Sequence, residues 1–390
     1  MDESFQYPWY FESNNMFEAW DISQGEHITV AVADTCIDIH HVMLAEKALY
    51  ADDNTCNYKI KKDYAELSDI FQTIKNMQDT KSNLDLLTKK FAKIYPNYIH
   101  GTAMASLIVG SLSILKKDPF VSLPQEYGDK ICVAGIAPKS KIIGLEGVNV
   151  GSLEKGFTIV KEKTAESKPL FKDKKRIQVV LINLSGGEKA KDEEDFSLMA
   201  SSWKDFARRV CTDQENTLII SAVGNDRLEL TKNSQKQGVL PAVIKPPKIC
   251  HGKDPILRVG ATNFYLQGDK VDKYKNSNYG AEFVEILAPG AGIPIATPKN
   301  YSSIASGTSE ATAITTGIAA LLANCRPFTT AEAIKNAILQ HATHYDHLKS
   351  YVLNGNVINA KNSLKHFCFN IENTKENNNL YKTYHSQEIF

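Results

Sequence analysis

The sequence predicts a three-layer α/β fold in which helices cover both faces of a mostly parallel central sheet. The first observation is a series of short runs, apolar on both faces and rich in β-branched residues, at 28–34, 141–148, 178–185, 217–225, 256–261 and 282–290. Continuous apolarity is typical of parallel strands that are buried on both sides. The second observation is that helical patterns lie between these runs, and such alternation is typical of a parallel sheet.

The helical patterns occupy 99–114, 193–210, 309–325 and 330–341. The second is the clearest, because its apolar residues recur at spacings of three and four, as Phe196, Met199, Trp203, Phe206 and Val210. This spacing places them on one face of a helix.

The length of 390 residues allows one large domain or two of ordinary size. We expect one domain at 28–366, preceded by an N-terminal arm at 1–27 and followed by a polar tail at 367–390. Residues 51–96 are lysine-rich, acidic and weakly patterned, and we predict an insertion of one or two amphipathic surface helices. A basic run at 161–176 is interpreted as a solvated linker.

Composition excludes several classes of function. Lys plus Arg equals Asp plus Glu at 45 each, so a general electrostatic affinity for nucleic acid or an anionic membrane is not expected. No run of 18 apolar residues predicts a membrane span. The N-terminus lacks the basic start and apolar stretch of a signal peptide, so we expect a cytoplasmic protein, with export by a non-classical route left open.

The cysteines predict free thiols in a reducing compartment. Their number is odd, no two are spaced as C-x-x-C, and several lie in apolar runs, which argues against a disulfide scaffold and a cysteine-built zinc site. They are Cys36, Cys56, Cys132, Cys211, Cys250, Cys325 and Cys368.

Polar residues follow three of the predicted strands. Asp34 ends the first run, Ser185-Gly186-Gly187 ends the third and Asn225 ends the fourth, while His100 immediately precedes a predicted helix and Ser309 opens another. Because functional side chains of an open parallel sheet gather beyond the carboxyl ends of its strands, we expect these residues to lie close together.

Such a set can perform acyl transfer. A serine hydroxyl becomes a nucleophile when an imidazole removes its proton, and a carboxylate orients that imidazole. An asparagine amide and a backbone N–H at a helix start can hold the oxyanion that forms. Each fragment alone has a simpler interpretation, such as a strand-end turn at Asp34 or a helix cap at Ser309, and the hypothesis depends on their combination.

Four motifs give the chain a family resemblance. The stretches "DTCID", "HGTAMASLIVG", "AVGN" and "GTSEATA" match the aspartate, histidine, oxyanion-hole and serine motifs of the subtilisin-like serine proteases, the subtilases. The sequence resembles this family over about Trp9 to Leu364, nearly the whole chain.

The resemblance implies a serine endopeptidase that needs no cofactor and binds a protein or peptide in extended conformation. It implies Asp34, His100 and Ser309 as a catalytic triad and Asn225 as the oxyanion-hole side chain. The pocket for the residue before the scissile bond is then lined by small residues and is expected to be roomy and apolar. These residues are Ser185, Gly186, Gly187, Ala222, Val223 and Gly224.

The chain departs from the family pattern at four positions. Cys36 replaces a glycine, and a thiol so close to His100 leads to the hypothesis that bulky thiol reagents inhibit. Glu310 and Ala313 replace a methionine and a proline, and neither change removes a catalytic group. A carboxylate that often binds structural calcium in the family falls on Met43, so we expect no obligatory calcium.

Two other functions remain open: peptide ligation or cyclisation through the same acyl-enzyme, and an inactive fold kept as a peptide-binding module. The stretch "FQYPWYF" is interpreted either as an inhibitory segment across the cleft or as a packed arm. His341, His344 and His347 have helical i, i+3, i+6 spacing, but a surface loop is favoured over a metal site there.

Overall fold

The computed structural model describes the chain in eleven segments. They are residues 7–51, 53–76, 81–123, 128–154, 158–159, 180–212, 216–245, 250, 253–265, 268–326 and 329–369.

The strands form one large and one small sheet. In chain order they are β1 Thr29–Asp34, β2 Ala48–Tyr50, β3 Ser113–Lys117, β4 Lys130–Val133, β5 Lys141–Glu146, β6 Val180–Leu184, β7 Thr217–Ala222, β8 Ile256–Thr262, β9 Ile286–Pro289, β10 Ile293–Thr297, β11 Tyr301–Ala305, β12 Thr343–His344 and β13 Asn356–Val357. The large sheet has the order β12-β13-β9-β8-β7-β6-β1-β5-β2. All its pairs are parallel except β12 with β13. The small sheet has the order β10-β11-β3-β4.

Helices cover both faces of the large sheet. In chain order, the α-helices whose two ends lie among the described residues are α1 Trp9–Ser13, α2 Met16–Trp20, α3 Asp53–Asn76, α4 Lys81–Val109, α5 Glu193–Thr212, α6 Thr308–Cys325, α7 Ala331–Gln340 and α8 Ala360–Phe369. One core lies between the sheet and α4, α6, α7 and α8, and a second core lies between the opposite face and α5. The predicted three-layer α/β fold is therefore confirmed.

The insertion forms a helical hairpin of α3 and α4. Its apolar side chains, among them Ile60, Leu67, Tyr95 and Tyr98, build a third cluster against Phe120. The helix predicted to begin at 99 is the end of α4, which begins at Lys81. His100 therefore lies inside a long helix, and its predicted position just before a helix is wrong, because the weak pattern of the insertion continues the same helix.

The prediction of free thiols is wrong for six of the seven cysteines. Disulfide bonds join Cys36 to Cys56, Cys211 to Cys250 and Cys325 to Cys368, across sequence separations of 20, 39 and 43 residues. Such separations show no local spacing signal, and the odd count reflects Cys132 alone. Burial raises the pKa of the Cys132 thiol to about 11, which keeps it protonated at neutral pH.

The described part of the N-terminal arm belongs to the core. Tyr10 and Phe11 are fully buried, and the Tyr10 hydroxyl donates to the carbonyl oxygen of Ala134 at 2.6 Å. These contacts favour a packed arm over an inhibitory segment.

The C-terminal boundary lies further along the chain than predicted. Helix α8 continues to Phe369, with Phe367 and Cys368 buried, so the first three residues of the expected tail are part of the domain. The rest of the tail and the basic run at 161–176 lie outside the described residues. Within the described segments, no helix is both long and apolar enough to span a membrane.

Candidate active site

The predicted site residues lie at the carboxyl edge of the large sheet. Strand β1 lies between β5 and β6, and the chain builds the sheet outward on both sides of it. Such a reversal of strand order opens a crevice at the carboxyl ends. Asp34 ends β1, while Ser185 and Asn225 come shortly after β6 and β7, so all three lie at this edge.

Asp34 and His100 form a close pair. The Nδ1 atom of His100 lies 2.6 Å from Oδ1 of the buried Asp34, and the His100 side chain is 27% exposed. Burial alone would lower the pKa of His100, but the charge and hydrogen bond of Asp34 and the charge of Glu310 raise it to about 9. The carboxylate fixes the ring, so that Nε2 is the nitrogen left to act as a base.

A tight contact between α4 and the segment after β1 positions this pair. The N–H of Gly101 donates to Oγ1 of Thr35 at 2.9 Å, and the N–H of Asp38 donates to Oγ1 of Thr102 at 2.9 Å. A β-carbon on Gly101 would lie 2.3 Å from the carbonyl oxygen of Thr35 and 2.7 Å from that of Cys36. Glycine is therefore required next to His100, because any side chain would push α4 away from Asp34.

Ser309 lies in the first turn of α6, at the bottom of the crevice. Its side chain is nearly buried, with 8% of the residue exposed, and its hydroxyl donates to the carbonyl oxygen of Ser185 at 2.9 Å. Every residue of α6 from Thr308 to Ala323 is buried. The residues of this helix are mostly small or apolar, and its threonine hydroxyls donate to carbonyl oxygens one turn earlier, so it crosses the core and carries Ser309 on a rigid support.

Asn225 is tied to the start of the same helix. Its Oδ1 accepts the N–H of Thr308 at 2.9 Å, and the N–H of Gly224 donates to Oγ1 of Thr308 at 3.2 Å. Gly224 has φ +98°, a conformation that favours glycine. Because Oδ1 accepts from Thr308, Nδ2 is the atom of the amide that can donate to another group. Nδ2 lies next to Gly307, 3.0 Å from the position that a β-carbon on this glycine would take.

Glu310 follows the serine and is buried, with 5% of the residue exposed. Its Oε2 lies 3.0 Å from the same β-carbon position on Gly307, so the carboxyl group turns back toward the helix start. Burial raises the pKa of Glu310, while the charge of His100 opposes that rise. A buried carboxyl group thus lies beside the serine and acts electrostatically on the imidazole.

The predicted pocket residues come together, but one further residue lies among them. A β-carbon on Gly187 would lie 2.1 Å from Cγ1 of Val239, and a β-carbon on Gly224 would lie 2.6 Å from Cγ2. Val239 therefore contacts both glycines, at the place where the sequence predicts a pocket lined by small residues. No local pattern indicates this contact, because Val239 lies in a loop without a motif.

The hypothesis of a reactive thiol near His100 is wrong, because Cys36 is bonded to Cys56. Cys36 is not among the described residues with positive φ, so it fits the place of the family glycine without strain. In the described part of the chain, the metal-compatible group is Cys36, Cys56 and Glu146, and the disulfide uses both sulfur atoms.

The histidine cluster does not form a helical array. His341 ends α7, His344 lies in β12, and His347 lies in a short 3-10 turn where Nε2 is 2.8 Å from the carbonyl oxygen of Val271. The i, i+3, i+6 spacing of the sequence therefore does not place the three histidines on one helix face. Met43 is buried beside Gly110, in the core.

Comparison with known proteins identifies the family of the chain. The sequence model of the subtilase family matches residues 25–370. The chain is 32% identical over 276 residues to the A-subunit of subtilase cytotoxin from Escherichia coli, covering 70% of this chain and 71% of that protein. The matched range includes the whole of both sheets and all the predicted site residues.

Solved structures show the same fold. The A-subunit of the AB5 toxin from E. coli superposes with a TM-score of 0.63 at 26% identity, covering 93% of this chain and 99% of that chain. The PatG macrocyclase domain superposes with a TM-score of 0.59 at 20% identity, covering 93% and 99%, which shows a shared fold. The chain belongs to the subtilase family, whose serine-protease-type members bind peptide substrates.

Proposed function

We propose that the chain is a serine endopeptidase that hydrolyses peptide bonds through an acyl-enzyme on Ser309. The observation that carries this proposal is the 2.6 Å pair of His100 and Asp34 at the sheet edge where α6 presents Ser309. Membership of the subtilase family supports the same activity.

The first step is proton removal from the serine. The Ser309 hydroxyl leaves the carbonyl oxygen of Ser185 by rotation about its Cα–Cβ bond and donates to Nε2 of His100. His100 takes the proton as Oγ attacks the substrate carbonyl carbon, and Asp34 stabilises the imidazolium that forms. The tetrahedral intermediate then expels the amine, which receives this proton from His100. Water then attacks the acyl carbon while His100 takes its proton, and the second tetrahedral intermediate releases the acid product as Oγ of Ser309 regains that proton from His100.

The oxyanion is held by two donors. Nδ2 of Asn225 is one, because Oδ1 of that amide is already bound to Thr308. The N–H of Ser309 is the other, since the N–H groups of the first helical turn have no intrahelical acceptor. Both donors are fixed before the substrate arrives, so little reorganisation opposes the reaction.

The substrate is a peptide in extended conformation. The main chain of Ser185 to Gly187 pairs with it as an added strand, which brings the scissile carbonyl next to Ser309. All of these steps use groups of the chain itself, so we propose that no cofactor is required.

The test is labelling by a fluorophosphonate, which reacts with an activated serine. Wild type is expected to react, and Ser309→Ala is expected not to. Asp34→Asn is expected to react much more slowly, because the imidazole loses its tautomer and charge partner. Wild type that fails to react contradicts the proposal and leaves the inactive peptide-binding module.

Product mass separates hydrolysis from the alternative. Incubation with a defined peptide is expected to give two fragments whose summed mass exceeds the peptide by one water. A cyclised or ligated product without added water would instead establish a transpeptidase.

The disulfide bonds also bear on location. We infer that the protein works in an oxidising compartment, where three disulfides form and persist. The expected cytoplasmic location depended in part on free thiols. Mass spectrometry of the protein from its native source, unfolded in denaturant and alkylated before reduction, is expected to find only Cys132 modified.

A further inference from the structure

We propose that Val239 restricts the pocket for the residue before the scissile bond to small side chains, namely glycine, alanine and serine. This inference rests on the proposed peptidase function and names its substrate class. It follows from the shape of the crevice between two glycines.

The two glycines face each other across the pocket. In the parallel pair of β6 and β7, Leu184 lies opposite Ser221, and the chain then continues as Ser185 to Gly187 on one side and Ala222 to Gly224 on the other. Because neither glycine has a side chain, the space between their α-carbons would be open.

Val239 occupies that space with one methyl group toward each glycine. The distances of 2.1 Å and 2.6 Å to added β-carbons are shorter than any real contact of a β-carbon, so each glycine already touches the valine. Val239 is 7% exposed, so its side chain is packed almost completely among its neighbours. The side chain is therefore the floor of the pocket.

The valine is held in place. The N–H of Leu240 donates to the carbonyl oxygen of Glu188 at 2.9 Å, and these residues form an antiparallel bridge next to Gly187. Leu240 and Ala242 are fully buried. A β-branched side chain has few rotamers, so Val239 has little freedom to swing aside for a larger substrate residue.

The position of the nucleophile defines which substrate residue meets this floor. The Ser309 hydroxyl lies 2.9 Å from the carbonyl oxygen of Ser185, at the start of the segment that pairs with the substrate. The residue whose carbonyl carbon is attacked therefore lies above the gap between Gly187 and Gly224. A benzyl or isobutyl group entering the gap would collide with the methyl groups of Val239.

The experiment compares kcat/KM for peptides that differ only in that residue, alanine against leucine and phenylalanine. Wild type is expected to prefer alanine over phenylalanine by at least about a hundredfold. In Val239→Gly, which removes the floor, this ratio is expected to fall by at least about tenfold. Val239→Ala keeps a β-carbon and is expected to give an intermediate ratio.

A neighbouring valine is the matched control. A β-carbon on Gly186 would lie 2.8 Å from Cγ1 of Val148. Val148 therefore packs against the same segment, one residue before Gly187. Val148→Ala is expected to leave the alanine-to-phenylalanine ratio unchanged. Fluorophosphonate labelling of each variant reports whether the crevice is still formed.

Two results overturn the inference while leaving the peptidase function intact. One is a wild type that cleaves after phenylalanine as well as after alanine. The other is a Val239→Ala or Val239→Gly variant that is labelled normally and keeps the wild-type ratio. A wild type that neither reacts with the probe nor cleaves any peptide overturns the proposed function and this inference with it.

Discussion

Removing the disulfide between Cys36 and Cys56 is expected to affect both stability and the active site. The bond links the segment after Asp34 to the first turns of α3 and closes a sequence separation of 20 residues. Loop closure of that length in the unfolded chain predicts a loss of about 3 kcal/mol in the free energy of unfolding. The double variant Cys36→Ala/Cys56→Ala avoids leaving a single reactive thiol.

The same variant is expected to disturb His100. The carbonyl oxygens of Thr35 and Cys36 are in close contact with Gly101, so movement of this segment moves α4 relative to Asp34. The pKa of His100 depends on the charge and hydrogen bond of Asp34, and loosening that pair lowers it. We expect the acid limb of kcat/KM to shift toward lower pH and the maximal rate to fall.

The control is Cys211→Ala/Cys250→Ala, which removes a disulfide at the end of α5, in the layer on the other face of the sheet. Its sequence separation of 39 residues predicts a similar loss, about 4 kcal/mol. Urea unfolding measures both losses, and the pH profile of fluorophosphonate labelling measures the site. Equal pH profiles in the two double variants would refute the positional argument, and unchanged urea midpoints would refute the loop-closure argument.

Four further outcomes are expected. First, kcat/KM should rise by about tenfold per pH unit and level off near pH 9. The reason is that His100 acts as a base only after losing the proton that Asp34 helps it retain. A plateau already reached at pH 6 would contradict the raised pKa of His100. Second, Glu310→Gln should shift that acid limb to lower pH, since it removes a negative charge that raises the pKa of His100, and an unmoved limb would show that Glu310 is uncharged when the enzyme works. Third, Asn225→Ala should lower kcat by a factor of about 10²–10³ with little change in KM. The lost hydrogen bond to Thr308 should also lower the free energy of unfolding by about 1 kcal/mol. A raised KM at constant kcat would instead place the amide in substrate binding. Fourth, since Met43 stands where the family often has a calcium-binding carboxylate, prolonged EDTA treatment should leave activity and melting temperature unchanged, and loss of either would require a cation site.

The sequence predicted the parts of the fold that depend on local pattern. Strand β7 is buried at every residue, and its continuous apolarity marks it in the sequence. Asp34 and Asn225 stand at or just after the ends of such strands, so their common edge follows from parallel pairing alone.

The parts that were missed depend on contacts between distant segments. Helix α4 begins at Lys81, because the weak amphipathic pattern of the insertion gains its apolar partners only when α3 folds against it. Cys36 and Cys56 become neighbours through the same folding event. Val239 lies in a loop that brings it into contact with Gly187 and Gly224, and no sequence motif near Val239 indicates this contact.

The helix that carries Ser309 has a consequence for how this protein fails on heating. Because α6 is enclosed along nearly all its length, its backbone can exchange with solvent only when the whole molecule opens. Ser309 therefore does not leave its native position by local unfolding while the rest of the protein stays folded. Loss of probe reactivity and loss of the native heat-absorption peak should occur at one temperature, and the amide protons of this helix beyond its first turn should be among the last to exchange for deuterium.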